Sequence, residues 1–287
     1  VGMVHTVGIV LHPQRDSATA IETILQWANG HGASVLGLAD DIARIDCSAI
    51  PVDAETLATK ANLLVSLGGD GTMLRSMRLA AGTKSPVLGV NLGKLGYLPE
   101  IDVDELPWAL SAIDNRQFSL EERLAIRSRL PNDKEVTAFN DIALVRVPGD
   151  GSAAVGVRIL GVPFVRYAAD AVIVATPTGS TAYAFSAGGP IVSPRLEGML
   201  VVPSSPHSSY NRALMLSVDE TVTLDVLERS GRLAVEVDGG VATYVGPGDR
   251  IDVNAVPAAA RVIRLGHTTF SERARRKLRV SGSAEVD

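Results

Sequence analysis

Asn62-Leu-Leu-Val-Ser-Leu67 runs directly into Gly68-Gly-Asp-Gly-Thr72, and then into Met73, Leu74, Met77 and Ala81 at helical spacing. The apolar run reads as a strand buried on both faces, and Thr72 to Ala81 as an amphipathic helix beyond a glycine turn. The same alternation continues on either side. Thr6 to Leu11 is a short apolar strand, and Asp16 to Ala28 is a helix carrying Ile21, Ile24, Leu25 and Ala28 on one side. Gly30 and Gly32 end that helix, Ser34 to Leu38 reads as the next strand, and Pro86 to Asn91 as another. Strands and helices in this order predict a parallel sheet with flanking helices.

From about Phe118 the pattern changes. Val136–Phe139, Ile142–Val147, Val155–Leu160, Ala171–Ala175, Thr221–Leu227, Leu233–Val237 and Arg250–Val253 are short strand-like runs. Pro148-Gly-Asp-Gly151, Asp238-Gly-Gly240 and Gly246-Pro-Gly-Asp249 supply turn chemistry between them. This predicts an all-β C-terminal domain after an α/β N-terminal domain, α+β overall, with a site in the interdomain cleft. The expected division is 1–118, 119–264, and a C-terminal stretch 265–287. That last stretch has Phe270, Ala274 and Leu278 on one helical face, packing back on the N-terminal domain.

Composition narrows the function classes. The chain has 287 residues, a net charge of −5 and one cysteine, Cys47, so no intramolecular disulfide can form. No apolar run reaches the roughly 20 residues that span a bilayer. Val1 to Thr6 lacks the cationic region and cleavage site of a leader. A cytoplasmic protein with neither nucleic acid nor membrane as partner is expected. His5, His12, His31, His207 and His267 are scattered, so no metal-ligand spacing exists. No Gly-x-Ser-x-Gly elbow supports a serine hydrolase.

The glycine turn is the first candidate site. Gly68, Gly69 and Gly71 let backbone amides approach a ligand closely, and with the helix start at Thr72 they form an anion cradle. A carboxylate there repels phosphate, unless Asp70 accepts a proton from an attacking hydroxyl or holds a divalent cation. The plain alternative is a βα turn in which the Asp70 side chain caps the helix. No Gly-Lys-Ser/Thr follows, so this is not a Walker A loop. Arg75, one turn on, is placed to reach an anion at the helix start, or to stand exposed. Asn91-Leu-Gly-Lys-Leu-Gly-Tyr97 leaves a second strand at the same expected sheet edge. Tyr97 there offers a face for a base.

The second constellation is Thr176-Pro-Thr-Gly-Ser-Thr-Ala-Tyr-Ala-Phe-Ser-Ala-Gly-Gly-Pro190, dense in hydroxyls and glycines around Tyr183. Such a run suits close backbone approach, adaptable hydrogen bonding and ring stacking. Asn140-Asp141 and Asp170 each precede a strand. An amide can pair with an adenine edge and a carboxylate with ribose hydroxyls.

Together these residues resemble the NAD kinase family. The likeness rests on Gly68–Thr72, Pro86–Tyr97, Asn140-Asp141 and, most specifically, Thr176–Pro190. It implies transfer of a phosphoryl group from ATP or polyphosphate to the adenosine-ribose 2′-hydroxyl of NAD, giving NADP, in a homodimer or homotetramer. Asp70 would be the catalytic base. Gly68, Gly69, Gly71, Thr72, Arg75 and Mg²⁺ or another divalent cation would hold the donor. Asp70, Gly71, Tyr97, Asn140, Asp141, Asp170, Thr181, Ala182, Tyr183 and Ser186 would line the NAD site, with Asn140 and Asp141 on the adenosine and Asp170 on the nicotinamide side.

The chain departs from the family in having Asp141 where Glu is usual, which would weaken or shift the ribose contact. It also has Ala169-Asp170-Ala171 where the family often has glycines. Two rivals stand beside this reading: a non-catalytic NAD(P)-binding regulator, and a lipid or sugar kinase sharing Gly-Gly-Asp-Gly-Thr. The basic run Arg273–Arg279 is expected to be a solvated terminal helix.

Overall fold

A computed structural model describes residues 4–93, 96–266 and 268–280. Val1 to Met3, the Lys94-Leu95 pair, His267 and Ser281 to Asp287 lie outside the described residues. In chain order the elements begin β1 (Thr6–Leu11), α1 (Ala18–His31), β2 (Ser34–Leu38), α2 (Ala39–Ile42), β3 (Ile50–Val52), α3 (Ala54–Lys60), β4 (Leu63–Gly68), α4 (Asp70–Ala80), β5 (Pro86–Asn91), β6 (Ile101–Asp102), α5 (Leu106–Asp114) and β7 (Ser119–Arg129). They continue β8 (Glu135–Ala138), β9 (Asp141–Arg146), β10 (Ala153–Ile159), β11 (Val162–Ala169), β12 (Ala171–Ala175), α6 (Tyr183–Ser186), β13 (Met199–Ser204), β14 (Leu214–Leu216), β15 (Val222–Val226), β16 (Leu233–Val237), β17 (Gly240–Val245), β18 (Arg250–Arg264) and α7 (Phe270–Leu278). Two compact units result, one of residues 1–122 with 260–287 and the other of 123–259.

In the first unit β3, β2, β1, β4, β5 and the end of β18 lie side by side, all parallel. Val7, Ile9, Val65, Leu67, Leu88 and Val90 are buried in its core with Ile21 and Ile24 of α1 and Leu110 of α5. Strands covered on both faces have no polar alternation, which is why β1, β4 and β5 read as unbroken apolar runs. Helix α1 stops at Gly32, whose φ of +65 gives the left-handed cap that ends many helices.

The second unit is built from antiparallel strands. One set orders β11-β10-β15 and the start of β18, and the other orders β14-β13-β12-β9-β16-β17. Val155, Val157, Leu224 and Ile251 from the first set share a core with Leu144, Val172, Val174 and Val235 from the second. Ala143, Ile173 and Leu200 on the opposite face of the second set pack against Ala184 of α6. Strand β12 is therefore buried on both sides, as its Ala-Val-Ile-Val-Ala run requires.

Candidate active site

Strands β4 and β5 run parallel with Gly68 level with Asn91, so both glycine stretches leave the same sheet edge. The Leu92 amide donates to Gly68 O at 2.9 Å, which ties the two loops at their roots. Helix α4 begins at Asp70, two residues before the expected start, because Gly69 O already accepts from Met73 N at 3.0 Å.

The Asp70 carboxylate does not cap its own helix; Gly69 is the cap residue and no side-chain cap forms. It turns instead to the neighbouring loop, where Oδ1 accepts from Tyr97 N and Leu98 N, both at 2.9 Å. A side chain on Gly96 would collide with that oxygen, so glycine is needed there for the carboxylate to lodge. Lys277 Nζ of α7 donates to Oδ2 at 3.1 Å. The same ammonium lies 4.4 Å from the centroid of the Tyr97 ring. The ring face expected to meet a base therefore carries a cation.

Helix α7 is anchored by a buried ionic cluster. Arg273 Nη1 donates to Pro99 O at 2.9 Å and Tyr97 O at 3.4 Å, while Nη2 meets Glu100 Oε2 at 2.5 Å. Arg264 completes the cluster with Nη1 at 2.8 Å from the same Glu100 oxygen and 3.2 Å from Leu98 O. The expectation of a solvated basic helix is corrected here. Arg273 is 3% exposed. Only Arg275, Arg276, Lys277 and Arg279 in the run reach solvent, and of these Lys277 touches Asp70. The run is basic on two faces for two reasons, one of them packing.

Thr72 is buried, its carbonyl accepting from Ser76 Oγ at 2.9 Å, whereas Gly71 is exposed at the turn. Arg75 turns to the end of β1. Its Nη1 lies 3.1 and 3.2 Å from the two carboxylate oxygens of buried Asp41, and 3.4 Å from Leu11 O. Asp41 also accepts from Leu11 N and Arg44 Nη2, so this carboxylate organises the loop after β1.

In the second unit the Thr176–Pro190 stretch follows β12 as a 3₁₀ turn, Thr178–Thr181, and the single-turn helix α6. Thr176 staples it to the segment before β9. Thr176 N donates to Asn140 O at 2.8 Å, and Thr176 Oγ1 donates to Phe139 O while accepting from Gly179 N at 3.0 Å. Gly179 packs so closely on Asn140 O that no side chain fits between them. Thr181 Oγ1 stays local, on Thr178 O at 3.4 Å, and Ala182 O accepts from Phe185 N and Ser186 N. Ser186 is exposed.

Asp141 opens β9 and is 3% exposed. Burial, then the charges of Asp238 and Glu236, push its carboxyl up to about 7, against the pull of a hydrogen bond from the Tyr183 backbone. Asp238 accepts from Asn140 N at 2.7 Å and Phe139 N at 3.2 Å, holding a φ of +49 as it does so. Tyr183 is raised by burial first and then by Glu236, with Asp170 and Asp141 adding to it. Asp170 lies between β11 and β12 with Oδ1 2.5 Å from Arg146 Nε. The second unit thus gathers Asn140, Asp141, Asp170 and Tyr183, and adds Glu236, which the sequence offers only within a strand-like run, and Asp238, which it offers only as part of a hairpin turn. The first unit gathers Asp70 and Tyr97 and adds Lys277 and Arg273.

Two family models match the chain: the ATP-NAD kinase N-terminal domain over residues 50–118 and the C-terminal domain over residues 139–265. The chain is 36% identical to NAD kinase 1 of Streptomyces avermitilis, covering 96% of this chain and 87% of that protein. It is 37% identical to the NAD kinase of Heliobacterium modesticaldum, covering 95% and 98%. Among solved structures, yeast NADH kinase complexed with NADH superposes with a TM-score of 0.84 at 25% identity, over 99% of this chain and 90% of that one. An NAD kinase from Archaeoglobus fulgidus in complex with ATP has the same fold, with a TM-score of 0.74 at 24% identity over 96% and 100%. Matched across both its units and over nearly its whole length, the chain belongs to the NAD kinase family, enzymes that phosphorylate NAD to NADP.

Proposed function

We propose that this chain transfers the terminal phosphoryl group of ATP to the 2′-hydroxyl of the adenosine ribose of NAD. The observation that carries this reading is the Asp70 carboxylate, lodged on the Tyr97 and Leu98 amides at the head of α4. Both amides hold Oδ1, while Oδ2, which Tyr97 N also reaches at 3.2 Å, faces Lys277. A carboxylate held in this way is aimed before substrate arrives, which is how a general base saves reorganisation.

In this reading Asp70 takes the 2′-hydroxyl proton as the ribose oxygen bonds to the terminal phosphorus and ADP leaves. The amides of Gly68, Gly69 and Gly71 and the start of α4 at Thr72 hold the donor's phosphates. Arg75 adds its charge from its place beside Asp41. Mg²⁺ would come to such a turn on the donor's phosphates, keeping several of its waters, while Asp70 stays on the Tyr97 and Leu98 amides as the base. When bound it would neutralise charge on the transferring group.

The NAD side of the reading rests on the second unit. Asn140 and Asp141 recognise the adenosine and Asp170 the nicotinamide portion, with Thr181, Ala182, Tyr183 and Ser186 lining the pocket and Tyr97 assisting. A homodimer or homotetramer in the cytoplasm belongs to the same reading, and light scattering on the eluted protein measures the former. The deciding experiment is NADP formation by purified protein with NAD, ATP and Mg²⁺. Turnover supports the kinase. Tight NAD or NADP binding with no turnover on ATP or polyphosphate replaces it with a regulator.

A further inference from the structure

Arg15 lies in the loop after β1, and its guanidinium packs between the two glycine stretches. Nη1 sits 2.9 Å from where a Cβ on Gly93 would stand and 3.5 Å from one on Gly69. The first of these is closer than real Cβ contacts allow, so a side chain at Gly93 would force the guanidinium out. Nη1 is buried and finds no hydrogen-bond partner among the protein's groups. A buried polar group in that condition is costly, and a charged one more so.

The other cations beside this loop are answered. Arg44 reaches Asp41 Oδ1 at 2.7 Å and Pro13 O at 2.5 Å, and Arg75 reaches Asp41 at 3.1 Å. Arg15 has no ion pair among the described residues. Its charge still acts on its surroundings: His12 is held below the usual imidazole range by burial first, then by Arg15 and Arg44. The loop is braced for this, because His12 Nδ1 accepts from both Gln14 N and Arg15 N at 3.1 Å.

We propose that Arg15 is a phosphate ligand of the donor site, reaching from the first strand's loop to the oligophosphate that the Gly68–Thr72 turn cradles. The inference rests on the kinase reading of that turn and names the residue that supplies its fixed positive charge. An arginine fork suits the task because it donates two parallel hydrogen bonds to phosphate oxygens. The bound phosphates satisfy the buried nitrogen, and the helix start and the guanidinium approach them from two sides. Arg15 makes no bond to NAD in this arrangement, so its removal separates donor from acceptor binding.

The test is steady-state kinetics of Arg15→Ala and Arg15→Lys, with thermal melting against ATP, inorganic tripolyphosphate and NADP. Removing charge-assisted bonds to phosphate raises KM for ATP by about 10- to 100-fold, while KM for NAD stays within about twofold. Arg15→Lys keeps the charge without the fork and falls between wild type and alanine. Tripolyphosphate raises the melting temperature of wild type and not of Arg15→Ala, a binding readout that stands even if turnover on NAD is absent. NADP stabilises both. If Arg15→Ala does not fold, Arg15→Lys decides alone, by a rise in KM for ATP with KM for NAD unchanged. An unchanged KM for ATP, equal rises in both KM values, or tripolyphosphate stabilisation that survives the substitution overturns the proposal.

Discussion

Asp70 and Asp141 are aspartates at the edge of a strand-and-turn junction, one in each unit, and they live in opposite company. Asp70 faces donors: two backbone amides at 2.9 Å and a lysine ammonium at 3.1 Å. Asp141 faces acceptors: burial and two further carboxylates push it up to about 7, with one backbone donor opposing them. A ring of donors fixes a carboxylate in direction, which suits alignment on a substrate hydroxyl. A ring of carboxylates leaves a proton poised near neutrality, which suits a contact whose strength depends on pH. The same residue type is thus made into two instruments by what the fold places around it.

The largest break in this comparison comes from Asp70→Asn. The amide keeps the size, removes the base and presents an N–H where Lys277 donates. Loss of a general base costs about 10²- to 10⁴-fold in rate, and we expect kcat for NADP formation to fall in the upper part of that range. NADP binding by calorimetry should persist. A variant retaining more than about a tenth of the rate would remove Asp70 from the role of base.

Arg273→Ala comes next, because it strips the donors of their support. Arg273 holds the Tyr97 and Pro99 carbonyls, and its loss leaves Glu100 buried with Arg264 alone. Breaking a buried pair on one side costs about 3–5 kcal/mol. Denaturant unfolding should report that loss, together with a lower kcat as the Tyr97–Leu98 amides lose their position. Arg273→Lys should recover less than half, since a single ammonium cannot serve two carbonyls and a carboxylate as a planar fork does. A midpoint unchanged from wild type would show that the cluster is surface decoration.

How far these arrangements can be read from sequence differs between fold and site. Strands β4, β5, β12 and β16 are visible as apolar runs because buried positions dominate them and leave few polar residues in each. Strand β18 is read only to Val253, although it extends to Arg264, because Pro257 and the positive φ of Ala258 break any strand pattern. Strand β11 goes unread since Val162 and Phe164 are exposed and the run shows no clean alternation. Helix α5 goes unread with Pro107 in its first turn. At the site, the glycine turn and the Thr176–Pro190 stretch are local and legible. Lys277 sits 207 residues from Asp70, and Asp238 98 from Asn140, and no local pattern carries contacts of that separation. Arg15 is invisible for the same reason: only folding brings it against Gly69 and Gly93.

Asp141→Asn sharpens the comparison from the other side. The folded protein holds the Asp141 proton up to about pH 7, whereas an unfolded aspartate holds it only to about pH 4. The group therefore favours the fold fully below about pH 4, and that contribution is lost as pH rises through about 7. The slope between is at most about 1.4 kcal/mol per pH unit. Melting temperatures of Asp141→Asn against wild type should converge at low pH, with the variant ahead at pH 8. If the ionised Asp141 makes the proposed ribose contact, KM for NAD should rise as pH falls below about 7 in wild type and stay flat in the variant. Parallel profiles in the two proteins would locate the pH dependence elsewhere.

The smallest effect belongs to Lys277→Met. Its side chain is 34% exposed beside Asp70, and pairs this accessible contribute about 1 kcal/mol or less to stability. The substitution keeps most of the aliphatic stem and removes the ammonium that lies over Tyr97. If the Tyr97 and Leu98 amides are what aim Asp70, kcat should change by only a few fold. A loss approaching that of Asp70→Asn would mean instead that the ammonium acts on the transferring phosphate. The turn's donors would then divide into two amides that hold the base and one cation that serves the substrate.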